Sequence, residues 1–135
     1  MLCLLVQPIH PAGIAVLETA GIEARLASAA DMDTVTAEIT RADAVITRNA
    51  GLSGAAMRAA PGLRVVGNHG TGLDPVDLET ARELGLPVIY TPRANVQSVA
   101  EHVIAQIMAV AKRIREADSA TRRDNFDYRY TRDFV

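Results

Sequence analysis

The chain has 135 residues, 49% of them hydrophobic and 22% charged, with a formal net charge of −2 and a single cysteine. That length fits one domain around one core, and the ordinary composition excludes disorder for the bulk of the chain. One cysteine excludes a disulfide framework and a cysteine-built zinc cage, and the net charge does not mark the chain as a nucleic-acid binder.

No stretch approaches the ~18 apolar residues that cross a bilayer, so no membrane is expected as a partner. The opening Met1–Val6 run is apolar, but it lacks a basic lead-in and Gln7-Pro8 cuts it short of a signal core. It reads as a first strand of a cytoplasmic protein, with Cys3 as a small buried apolar residue.

In chain order, apolar runs predict strands at Leu2–Val6, Ile22–Leu26, Ala44–Thr47, Leu63–Val66 and Pro87–Tyr90. Helical patterns lie between them. Pro11 to Ala20 places Ile14, Leu17 and Ala20 near one face, with Pro11 at the start and Gly21 as the stop. Asp33–Arg41 has Val35 and Ile39 four apart, and Ser53 can cap a short helix ending before Pro61-Gly62. Asp74-Pro75 opens a fourth helix, Asp77 to Leu84, closed by Gly85. This alternation predicts a flavodoxin-like α/β fold: a five-stranded parallel sheet with helices on both faces.

The last helix differs. Ser98-Val99-Ala100-Glu101 reads as a capping box, after which Val99, Val103, Ile107, Val110 and Ile114 form one stripe. Ala100, Ile104, Met108 and Ala111 form a second stripe beside it, so the apolar face is wide. A helix over 98–118 would outrun the strands beneath it and need a second partner. Four of the five aromatics (Phe126, Tyr128, Tyr130, Phe134) crowd the last ten residues, and 112–135 carries a net charge of +2 against −4 before it. Such a tail reads as a connector that packs on something else, or as a solvated end. The expected division is a core at 1–97, the long helix at 98–118 and a connector at 119–135.

Ligands of parallel α/β sheets bind where strand C-termini feed the loops. Gln7-Pro8-Ile9-His10 after the first strand has neither a phosphate loop nor acidic residues, and Thr47-Arg48-Asn49 has no acceptor Asp. Arg48 could fork onto a carboxylate or phosphate, or be a solvated loop residue. Gly67-Asn68-His69-Gly70-Thr71-Gly72-Leu73-Asp74 brings backbone amides close to a ligand, and a helix starting near Pro75 would aim its positive end there. That makes a small-anion site without lysine, or else a structural turn. From Gly70 it reads Gly-x-Gly-x-x-Pro, which is not a dinucleotide fingerprint. Asn95 is either a ligand contact or a local turn former. His10, His69 and His102 are scattered over three elements, so no metal site is expected.

The runs Leu63–Leu78, Gly85–Pro92 and Asn95–His102 together resemble the D-isomer-specific 2-hydroxyacid dehydrogenases, and within them the D-3-phosphoglycerate dehydrogenases. The resemblance is strong over 43–115 and looser over 1–42. It implies the substrate domain of an oxidoreductase that moves a hydride between NAD and the 2-position of a small hydroxy acid. It implies that His69, Gly70, Thr71 and Gly72 meet the substrate carboxylate, that Thr71 also touches the nicotinamide end of NAD, and that Arg48 and Asn95 face substrate. The helix from 98 corresponds to an inter-domain helix, and the tail to the connector into a Rossmann domain. The family's catalytic Arg, Glu and His match no residue here, so the isolated chain is expected to be inactive. Asn68 stands where phosphoglycerate-type members carry Arg, which leaves the acid open. The other reading is a free-standing, non-enzymatic module that binds a small carboxylate or a partner protein. In either case the helix stripe predicts self-association, as a dimer.

Overall fold

The computed structural model describes residues 1–130, and the notable Phe134 of the tail lies outside them. The chain divides into two compact units, one from Met1 to Ala94 and one from Asn95 onward.

The first unit is a sheet of five parallel strands: β1 (Leu2–Leu5), β2 (Glu23–Leu26), β3 (Ala44–Thr47), β4 (Val65–Asn68) and β5 (Val88–Tyr90), in the order β2-β1-β3-β4-β5. The helices are α1 (Pro11–Thr19), α2 (Met32–Glu38), α3 (Gly54–Arg58) and α4 (Leu78–Glu83). The strand order dictates their faces. The β1-to-β2 crossover runs one way along the sheet and the later three run the other. Right-handed crossovers therefore put α1 on one face and α2, α3 and α4 on the opposite one. The flavodoxin-like topology is the expected one.

The main core lies under those three helices. The register sets Leu4, Val45, Val66 and Val88 side by side in one row. Val35, Ile39, Ala56, Met57 and Ala81 close over it. Val35 and Ile39 are both fully buried, as their spacing predicted, although Ile39 already belongs to a tight turn over Ile39–Arg41. Cys3 is buried and unpaired, and burial pushes its thiol up to about 11. Gly21 and Gly85 end α1 and α4 with positive φ, the conformation glycine adopts without strain.

One strand is shifted. The apolar run Leu63–Val66 predicted β4, but the ladder runs Val65–Asn68, because Leu63 closes a turn onto the Ala60 carbonyl. Gly67 and Asn68 are thus strand residues, and the loop begins at His69.

The second unit holds α5 (Val96–Ala111) and α6 (Ile114–Thr121), followed by a 3₁₀ turn at Phe126–Tyr130. The capping box does not form. Asn95 occupies the N-cap position, Ser98 is already inside the helix, and Glu101 accepts from Gln97 Nε2 at 2.8 Å. A single helix over 98–118 does not form either. Arg113 adopts a left-handed conformation (φ 51°) and separates the two helices, so Ile114 belongs to α6. Arg113 pairs with Glu116, which also accepts from the Tyr128 hydroxyl at 2.7 Å. Among the described residues no helix is long and apolar enough to cross a membrane.

Candidate functional site

Adjacent strands β3 and β4 end on paired residues, Thr47 opposite Asn68. Both are buried, and each ties its own loop down four residues on. Thr47 Oγ1 donates to the Gly51 carbonyl at 2.5 Å, and Asn68 Nδ2 donates to the Gly72 carbonyl at 2.6 Å. A short polar side chain can do this at a strand end because it reaches back to backbone that the ladder no longer pairs. Asn68 Oδ1 is buried and has no partner among the described residues.

The loop after β4 is pinned elsewhere too. The His69 amide donates to the Thr47 carbonyl at 2.8 Å, and the Gly70 amide to the Asn68 carbonyl at 2.9 Å. The Gly70 carbonyl accepts from Thr91, both from its amide (3.1 Å) and from its hydroxyl (3.0 Å). This corrects part of the sequence reading: the amides of His69 and Gly70 are already spent inside the protein. Those of Thr71, Gly72 and Leu73 have no hydrogen-bond partner among the described residues, and Thr71 and Gly72 are exposed.

The expected helix terminus behind the loop is also corrected. Asp74 and Pro75 lie in a turn, Val76 bridges Leu52, and α4 starts only at Leu78. Its N-cap is Asp77, whose carboxylate accepts from the Thr80 amide (2.9 Å) and hydroxyl (3.0 Å). Those bonds hold the Asp77 carboxyl below the usual carboxylate range. An anionic cap already occupies the terminus, so the loop has only its own amides to offer.

The loop after β3 borders this one. Arg48 is half-buried and donates from Nη1 to the Pro8 carbonyl at 2.9 Å, while Gln7 Oε1 accepts from the Ala50 amide at 2.8 Å. Gly51, Leu52, Pro75 and Asp77 stitch the two loops together. Leu52 donates to the Pro75 carbonyl and accepts from the Asp77 amide at 3.1 and 3.0 Å.

Arg48, His69, Gly70, Thr71 and Gly72 therefore share the C-terminal edge of β3 and β4. Asn95 belongs to the second unit, where its side chain makes no capping bond. His10 caps α1 through Nδ1 and His102 lies exposed on α5. Sequence reasoning missed the tethers Thr47, Asn68 and Thr91. The available signal was a Thr or Asn at a strand end with a glycine four residues later, at Thr47/Gly51 and Asn68/Gly72.

NAD fits these residues poorly. A dinucleotide needs a glycine turn opening onto a free helix N-terminus, and here the turn runs into Pro75 and the acidic Asp77 cap.

Comparisons with known proteins point to one family. The family described as D-isomer specific 2-hydroxyacid dehydrogenase, catalytic domain, matches residues 3–132. The D-3-phosphoglycerate dehydrogenase of Mycobacterium tuberculosis is 36% identical over 102 residues, which are 75% of this chain and 19% of that protein. That of Methanocaldococcus jannaschii is 30% identical over 125 residues, 92% of this chain and 24% of that one. A solved NADPH-dependent glyoxylate/hydroxypyruvate reductase from Sinorhizobium meliloti, in complex with citrate, superposes with a TM-score of 0.80 at 26% identity, over 93% of this chain and 39% of that one. The chain thus spans about a fifth to a quarter of these curated relatives' length and about two fifths of the solved chain's. With the family matched over nearly its whole length, the chain belongs to the D-isomer specific 2-hydroxyacid dehydrogenases and carries their catalytic domain.

Proposed function

We propose that the first unit is the acid-gripping half of an NAD(P)-dependent oxidoreductase acting on a D-2-hydroxy acid, similar to phosphoglycerate dehydrogenase. The observation that carries this is the pair of unspent, exposed amides at Thr71 and Gly72, set at the C-terminal edge of β4 in a chain of that family. An amide donating to a carboxylate contributes ~1.5–3 kcal/mol, so two give at most about 6 kcal/mol before binding entropy is subtracted. That limits the loop alone to roughly millimolar affinity. Arg48 retains guanidinium donors beyond Nη1 and would add a charged contact from the neighbouring loop. The Thr71 side chain, exposed beside these amides, completes the set in this reading.

In the same reading the dinucleotide and the catalytic Arg, Glu and His belong to a Rossmann domain, which the unit from Asn95 onward leads into. Self-association through α5 belongs to it as well, supported by Val99, Val103, Ile107 and Val110, each at least half exposed. The test is an assay of the 135-residue chain with NADH and a panel of 2-keto acids. The expected result is no loss of NADH absorbance above a blank; turnover by this chain would contradict the assignment of the redox chemistry to other residues.

A further inference from the structure

We propose that Asn68 and Thr91 are positioning residues, which orient two peptide planes of the loop so that the Thr71 and Leu73 amides face outward for an acid. The inference rests on the acid-binding reading above. All peptide bonds among the described residues are trans, so the C=O of one residue and the N–H of the next point in opposite directions. Thr91 holds the Gly70 carbonyl with two bonds, which turns the Thr71 N–H away from Thr91. Asn68 Nδ2 holds the Gly72 carbonyl at 2.6 Å, which turns the Leu73 N–H away from the buried Asn68 side chain. The plane between them, Thr71 C=O to Gly72 N–H, has no tether among the described residues and is free to adjust to a ligand.

A purely structural role fits Asn68 badly. Its side chain is 5% exposed, yet it ties down the carbonyl of an exposed glycine that water could satisfy, and it leaves its own Oδ1 buried without a partner. A buried, unpaired acceptor is a cost to the fold, so what the side chain returns is the orientation of the loop.

The experiment uses the ¹⁵N-labelled 135-residue chain, ligand-free and titrated with D-lactate. Variants are Thr91→Val, Thr91→Ser and Asn68→Leu. Without ligand, the Thr71 and Leu73 N–H vectors are expected near the rigid value of about 0.85. Thr91→Val should lower the order parameter at Thr71 alone, Asn68→Leu at Leu73 alone, and Thr91→Ser should restore Thr71. D-Lactate affinity should fall roughly threefold to tenfold in Thr91→Val, the cost of ordering on binding an amide no longer held in advance, with the melting temperature lowered by at most a few degrees. Unaltered order at both amides in folded variants would overturn the positioning role, whether or not the acid binds. Altered order with no D-lactate response in the parent chain would support the tethers and overturn the acid-binding reading instead. Thr91 is exposed, so its variants carry the test if Asn68→Leu does not fold.

Discussion

Gly51→Ala is expected to destabilise the first unit by about 3 kcal/mol or more. Two costs combine. Gly51 sits at φ +74°, where a non-glycine residue loses roughly 1–2 kcal/mol. A Cβ there would also lie 2.0 Å from the Pro75 carbonyl oxygen and 2.6 Å from the Pro75 Cβ. Neither neighbour is the end of a flexible side chain, so the backbone itself must move, at about 1–3 kcal/mol. The movement would land on the seam between the two candidate loops, since Leu52 bonds to Pro75 and Asp77 across it. Denaturant unfolding of the variant should show a lowered midpoint with an unchanged slope. A midpoint equal to the parent's would mean that the loops are not stitched as described.

The second large effect is alkaline. The Cys3 thiol is neutral when folded, and burial pushes it up to about 11 from an ordinary value of 9.0. The folded state therefore keeps its proton where the unfolded chain loses it. Stability from this group is complete below about pH 9, falls as pH rises from there, and is lost by about pH 11. A two-unit difference corresponds to roughly 2–3 kcal/mol in total. Cys3→Ala removes that slope, so the parent and the variant should diverge only above about pH 9. Parallel stability curves across that window would show that the thiol is not buried in β1.

The sheet was legible because each of its parts was signalled locally. Apolar runs located four of five strands to within a residue or so, with Gly21 and Gly85 marking the approach to β2 and β5, and the crossover rule then fixed the faces of the helices. β4 shifted because Leu63 is apolar for the core rather than for the ladder, and a hydrophobic run cannot distinguish the two. The break at Arg113 was invisible for the opposite reason: no Gly or Pro marks it, and the apolar spacing continues through Ile114.

The site was legible by position but not by orientation. Glycines at 70 and 72 announced a tight loop, and the carboxylate proposed for it comes from the family resemblance. Which amides remain free depends on the Thr47 and Asn68 carbonyls, which take those of His69 and Gly70, and on how Asn68 and Thr91 hold the loop's own carbonyls; of these, the Thr47 and Thr91 contacts join residues more than twenty positions apart. The expected helix over Asp77–Leu84 forms to within a residue at each end, but its start does not lie near Pro75. Pro75 can open a helix, but here its carbonyl is drawn to Leu52, and the helix waits for the Asp77 cap.

The central claim is that backbone amides after β4 take the substrate carboxylate. Its most direct test is a titration of the ¹⁵N-labelled chain with D-lactate and, separately, with the neutral D-lactamide. Saturable shifts are expected at the amides of Thr71, Gly72 and Leu73, in the millimolar range for the acid and absent for the amide. Shifts confined to other residues, or equal for both compounds, would contradict it.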